Sequence, residues 1–137
     1  EKFNQVAKDY SHYAAGRLAR YYAAICLRDL GKFPEAEKEF QALAQGGDAQ
    51  LASLAKVGLA SVYEQTNRAS EAEKIYKEIE DHPTETVPKS AATIARADLS
   101  YKTNPAEATT LYQQIQKDYA GTPAADHAAQ MLAKLPH

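Results

Sequence analysis

The chain has 137 residues, with 16 Lys and Arg against 18 Asp and Glu, four His, one Cys and no Trp. That length suits one compact domain or one short repeat array, and 45% apolar with 25% charged residues argues against disorder. One Cys excludes an internal disulfide framework and a thiolate metal cage. The longest apolar run, Tyr21 to Leu27, is far too short to cross a bilayer, so no direct membrane insertion by this segment is expected. A pI near 6.1 argues against a nucleic-acid binder that relies on bulk charge.

Gly and Pro punctuate the chain. Pro34, Pro105 and Pro123 each stand near the start of an apolar-periodic stretch, where a missing N–H costs nothing. Asn104 and Thr122 precede two of them as N-cap residues, and Gly31, Gly46–Gly47 and Gly121 fall where stretches end. Between these marks apolar residues recur at helical spacing. Leu18, Tyr22, Cys26 and Leu30 form one row; Leu51, Leu54, Ala55, Leu59, Val62 and Tyr63 form a broader one. Strand-like alternation is absent. The pattern predicts eight helices, at about 1–10, 12–30, 34–45, 48–66, 70–81, 87–102, 105–119 and 123–135, with ends good to a few residues.

Self-comparison suggests the architecture. Glu35-Ala36-Glu37-Lys38 recurs as Glu71-Ala72-Glu73-Lys74, and Glu107-Ala108 repeats its first half. Four residues after each Ala comes an aromatic (Phe40, Tyr76, Tyr112), and three further on an aliphatic (Leu43, Ile79, Ile115). Small residue, ring and aliphatic on one face let a helix approach its neighbour closely and fill the seam. Helix pairs repeated near this period stack, each burying its apolar face on the next.

A further echo joins Phe3-Asn4-Gln5-Val6-Ala7-Lys8-Asp9-Tyr10 to Tyr112-Gln113-Gln114-Ile115-Gln116-Lys117-Asp118-Tyr119. Residues 1–11 therefore read as the second helix of a truncated repeat. Repeats at 12–47, 48–83 and 84–120 follow, and 121–137 forms a cap whose Met131, Leu132 and Leu135 face back. The edge Phe3, Val6, Ala7 and Tyr10 is expected to cover Leu18 and Tyr22. The outer side of that first helix, without its own neighbour, allows self-association.

These residues resemble the tetratricopeptide repeat family, whose signature is a small residue and a turn Gly in the first helix and an Ala-x3-aromatic in the second. Ala24, Gly31, Ala36 and Phe40 match in the first repeat. Ala60, Tyr63, Ala72 and Tyr76 match in the second, with Asn67 in place of the Gly. The third is degenerate: Arg96 replaces the small residue and Thr103 the Gly, while Ala108 and Tyr112 hold. The Arg is expected to weaken close packing, so that the third pair splays or leans on the cap. The resemblance implies a right-handed all-α solenoid of antiparallel helix pairs. The stretch Lys117-Asp118-Tyr119-Ala120-Gly121-Thr122-Pro123-Ala124-Ala125 is similar to the joins of bacterial cell-envelope members of the family, which implies the periplasmic side of a membrane-anchored protein and a role in envelope assembly.

Candidates for catalysis are thin. Cys26 sits in the apolar row, where a buried inert thiol is expected. His12, His82, His127 and His137 lack metal-ligand spacing, and Asp81–His82 and Asp126–His127 are adjacent residues that point apart on a helix. Phosphate loops and G-x-S-x-G turns are absent. Carboxylate-rich stretches at 35–39 and 71–80 alternate with Lys as a solvated helix face does. The expectation is a non-enzyme without cofactor or metal.

The resemblance also implies a concave groove, lined by the first helices of successive repeats, that accepts a partner's peptide or helix. By register it carries Leu18, Tyr21, Ile25 and Arg28, then Leu54, Val57, Ser61, Glu64 and Gln65, then Ser90, Thr93, Ala97, Ser100 and Tyr101. One subgroup of the family clamps an acidic C-terminal peptide with Lys, Asn and Arg at such places. Tyr21, Ile25, Val57, Ser61, Thr93 and Ala97 stand there instead, so that clamp is absent. Residues 1–34 carry a net +3 and residues 35–82 a net −5. Arg17, Tyr21 and Arg28 form a trio of interface-prone types on the face away from Tyr22. The partner-binding candidates are thus Arg17, Tyr21, Ile25, Arg28, Val57, Ser61, Glu64 and Tyr101. Two alternatives stay open: a receptor for a small ligand or peptide in a groove closed by the cap, and the recruiting segment of a larger enzyme.

Overall fold

The computed structural model describes residues 14–136, and they form seven α-helices: α1 (Ala14–Asp29), α2 (Phe33–Ala44), α3 (Ala49–Gln65), α4 (Ala69–Asp81), α5 (Lys89–Thr103), α6 (Pro105–Asp118) and α7 (Pro123–Lys134). No strand occurs among the described residues. The expected helix at 1–10 lies outside them. The other helix bounds agree with the periodicity to within about two residues.

The ends are made by the expected chemistry. Pro34, Pro105 and Pro123 occupy the first turns of α2, α6 and α7. Asn104 Oδ1 accepts from Glu107 N at 3.4 Å, and Thr122 Oγ1 accepts from Ala125 N at 3.4 Å. Asp48 caps α3 in the same way, from Leu51 N at 3.2 Å. Gly31 takes φ +79°, and behind it Lys32 N bonds Leu27 O at 2.9 Å, which closes the last turn of α1. Asn67 repeats the motif after α3 with φ +61° and Arg68 N on Tyr63 O at 2.7 Å. Asn reaches the left-handed region more readily than other side-chain-bearing residues, so the turn survives without the Gly. After α5 the turn is dispensed with: Asn104 (φ −151°) ends one helix and caps the next.

The helices fall into two compact units, Glu1–Arg68 with α1–α3 and Ala69–His137 with α4–α7. The boundary lies inside the span expected for the second repeat, between its two helices. In each unit consecutive helices pack as antiparallel pairs. In the first, α2 lies against both α1 and α3, and α1 also touches α3. In the second, α5 packs on α4 and α6, and α6 packs on α7.

The repeated triplets are core. Ala36, Phe40 and Leu43 on α2, Ala72, Tyr76 and Ile79 on α4, and Ala108, Tyr112 and Ile115 on α6 are all buried. Burying rings of this size dominates a small core. In the second unit, Tyr112, Ile115 and Leu111 gather with Ala97, Ala128 and Leu135, while Met131 and Leu132 of α7 pack against the cluster as expected.

Two expectations are corrected. The row Leu18, Tyr22, Cys26 and Leu30 is not buried: Leu18 is 43% exposed, Tyr22 49% and Leu30 67%, and the Cys26 thiol is exposed as well. The face of α1 that packs is the one bearing Ala23 and Ala24, because small residues let the backbones of α1 and α2 come together. The row spaced four apart turns the other way. At Arg96 the third pair does not splay; α5 keeps its packing on α4 and α6, and it also touches the cap helix α7, the other outcome expected. Arg96 folds against Glu80 of α4, with Nη1 3.2 Å from Oε1, and the two side chains are only 17% and 11% exposed. The small residue at the seam is the next one, Ala97, fully buried where Ala24 and Ala60 are in the earlier helices.

Candidate partner-binding surface

The residues expected to meet a partner divide between the units. Arg17, Tyr21, Ile25 and Arg28 lie on α1 and Val57, Ser61 and Glu64 on α3, two helices of one unit that touch; Tyr101 lies on α5 of the other.

On α1 the structure brings Tyr21 and Arg28 together and draws Arg17 aside. The Tyr21 ring is half-buried, edge-on to the buried Phe40 ring at 6.2 Å and 5.7 Å from Tyr22. Burial pushes its phenol above the ordinary range. The Arg28 guanidinium, two turns along the same face, pulls it down, and Tyr22 pushes it up. Arg17 instead reaches Asp48 at the start of α3, with Nη2 to Oδ2 at 3.9 Å. Around that pair lies a cavity of about 150 Å³, walled by Arg20, Leu43, Gly46 and Leu51. Ile25 beside Tyr21 is half-buried.

On α3, Val57, Ser61 and Glu64 are also half-buried, spaced four and three apart as one helix face requires. Ser61 Oγ accepts from Gln65 Nε2 at 3.1 Å. On α5 the expectation fares differently. Thr93, Ala97 and Ser100 are buried, and Thr93 lines a cavity of about 230 Å³ with Glu80, Arg96 and Gln114. Thr93 Oγ1 is 2.5 Å from Glu80 Oε2. Tyr101 packs half-buried against the Ala97–Tyr112 cluster.

The basic end of the chain is locally neutralised. Arg20 places Nε and Nη2 on Glu39 Oε1 at 3.2 and 3.1 Å, and Arg28 Nε meets Asp29 Oδ1 at 3.2 Å. With Arg17 on Asp48, the three arginines of α1 each face a carboxylate. Lys74 and Lys77 likewise pair along α4 with Glu71 and Glu73 at 3.5 and 2.9 Å, as solvated faces do.

One constellation escaped the sequence reading. His127 does not pair with its neighbour Asp126 but with Asp98 of α5, Nε2 to Oδ1 at 2.8 Å. The same oxygen accepts the Tyr112 hydroxyl at 2.6 Å, and the Tyr112 and His127 rings meet edge to face at 6.1 Å. Burial, followed by the hydrogen bond and charge of Asp98 and the nearness of Tyr101, pushes the Tyr112 phenol well above its ordinary range. One carboxylate thus ties α6 and α7 to α5. Its members lie 14 and 29 residues from Asp98, a separation that no helical period reveals. Among the described residues no group of three His, Cys, Asp or Glu is placed to hold a metal ion, and no helix is long and apolar enough to cross a membrane.

No family model matches the chain, and neither any curated protein nor any solved structure is found similar to it.

Proposed function

We propose that the chain is a non-catalytic interaction scaffold that takes a peptide or helix of a partner protein against the α1–α3 face of its first unit. The supporting observation is Tyr21 and Ile25 on α1 and Val57 on α3: large apolar side chains left half-exposed on two helices that touch. Half-buried rings next to an arginine, here Arg28, are the residue types that carry most interface energy. The buried small–ring–aliphatic triplets support a tetratricopeptide-like, right-handed solenoid as the frame, in which first helices present such faces. No cofactor enters this function. The resemblance of the 117–125 join to envelope proteins is the ground for placing it in bacterial cell-envelope assembly, on the periplasmic side of an anchored protein.

The test is site-specific photo-crosslinking in the source cells, with the photoreactive side chain at Ile25 or Val57 and at Lys134 as a remote control. A discrete protein adduct from the first two positions, lost when Tyr21→Ala and Arg28→Ala are combined, is the expected result. Adducts only at the control position would move the surface elsewhere. A small-molecule ligand that co-purifies, with no protein adduct at all, would favour the receptor reading.

A further inference from the structure

The cavity of about 230 Å³ in the second unit is bounded by the last turn of α4 and by facing stretches of α5 and α6. Lys89, Thr93 and Arg96 of α5, spaced four and three apart, line one side of it, and Leu111, Asp118 and Tyr119 of α6 line another. All of them belong to one unit, and none belongs to the α1–α3 face.

Two features set this cavity apart from an ordinary crevice between helices. The first is Arg96. Glu80 meets it through Oε1 and takes the Thr93 hydroxyl on Oε2. The Arg96 Nε stays buried and has no hydrogen-bond partner among the described residues, and folded proteins seldom leave such a donor orphaned. The second is a split charge. Lys89 and Asp118 line the same cavity, yet no ion pair joins them. Lys89 has no partner among the described residues. Asp118 holds Gln114 Nε2 on Oδ2 at 2.8 Å, which leaves Oδ1 uncommitted.

Two cations and two carboxylates make the lining neutral overall, so it matches neither a bare anion nor a bare cation. An ammonium and a carboxylate held apart across one space match a small molecule that carries both charges. The volume falls below the roughly 300 Å³ at which drug-sized sites begin, and a partner helix is too bulky for it.

We propose that this cavity binds a free apolar α-amino acid, a site separate in kind from the partner-binding face of the first unit. The ligand carboxylate lies between Lys89 and the Nε side of Arg96, its ammonium meets Asp118 Oδ1, and its side chain lies on Leu111 and the Tyr119 ring. Charge-assisted hydrogen bonds at both ends fix its orientation, and the orphaned Arg96 nitrogen gains an acceptor.

The test is calorimetric titration of the full chain with leucine and phenylalanine as probes. Binding of at least one of them at millimolar concentration or below is the expected result. Leucinamide, which lacks the carboxylate, and N-acetylleucine, which lacks the ammonium, should each bind at least about tenfold more weakly than leucine. Lys89→Ala and Asp118→Asn are changes at exposed positions that leave the Arg96–Glu80 pair intact. Each should weaken the bound probe by about tenfold or more, and Lys89→Ala should also narrow the preference for leucine over leucinamide. Lys117→Ala, next to Asp118 but outside the cavity lining, should change neither. No binding of either probe at millimolar concentration would overturn the proposal. N-Acetylleucine bound as tightly as leucine would overturn it in favour of a peptide C-terminus. Binding unchanged in both Lys89→Ala and Asp118→Asn would overturn it by placing the ligand outside this cavity. Helicity and melting of each variant, followed in parallel, separate a lost contact from loss of the fold.

Discussion

Gly58 of α3 lies directly against the ring of Phe40 of α2: a Cβ placed on Gly58 would overlap Cε1, Cζ and Cδ1 of that ring. Phe40 is fully buried and also takes the edge of Tyr21, so the ring has little room to retreat. Gly58→Ala would add helix propensity worth about 1 kcal/mol. Overpacking against Phe40 should outweigh it and leave a net destabilisation of about 1–3 kcal/mol. Urea unfolding with an unchanged m-value is the measurement; a variant as stable as the parent would mean that α2 and α3 can part at no cost.

Alkaline titration should act through Tyr112. Its phenol titrates above the ordinary value of 10.0, raised by burial and by the Asp98 carboxylate, so the folded state holds the proton more tightly than the unfolded chain. The contribution is fully present below pH 10 and is lost as the pH rises beyond it toward the folded value. Tyr21 is shifted the same way and adds to the slope. Tyr112→Phe should be less stable at neutral pH, by about 1 kcal/mol for the lost hydrogen bond. It should also lose less between pH 9 and 11 than the parent does. Melting temperatures across that interval decide it; parallel curves would remove Tyr112 as the source.

Asn67 holds a left-handed turn at φ +61° that closes α3 through Arg68 N and Tyr63 O. Asn67→Ala should cost about 1 kcal/mol, since Ala has neither the freedom of Gly nor a short polar side chain for that region. Asn67→Gly should be neutral or slightly stabilising. Thermal unfolding of both should rank Gly at or above Asn and Ala below.

Tyr76 and Tyr21 separate core from surface. Tyr76→Ala should cost about 3–5 kcal/mol as a buried ring truncation. Tyr21 is half-buried and edge-on to Phe40, so Tyr21→Ala should cost about 1–2 kcal/mol, above the near-neutral effect expected of a residue that only faces a groove. Denaturant midpoints of the two variants, with Phe40 untouched, make the comparison.

Local features of the sequence were sufficient for helix existence and ends, since Pro34, Pro105, Pro123, Asn104, Thr122 and Gly31 act through bonds to residues a turn away. The period that places Ala36, Ala72 and Ala108 also marks which face of each second helix is buried, because one residue type per turn decides how closely backbones approach. First helices were less legible. Both faces of α1 carry apolar side chains, and periodicity reports that a face is apolar without saying which one meets a neighbour. Only packing selected Ala23 and Ala24 over Leu18 and Tyr22. At Arg96 the one-residue shift to Ala97 was invisible for the same reason, as was the ion pair with Glu80 that makes the buried Arg tolerable. The tie of Tyr112 and His127 to Asp98 is the extreme case. It joins three helices through one oxygen, a contact set by how the helices are laid against each other and by nothing in the spacing of the residues along the chain.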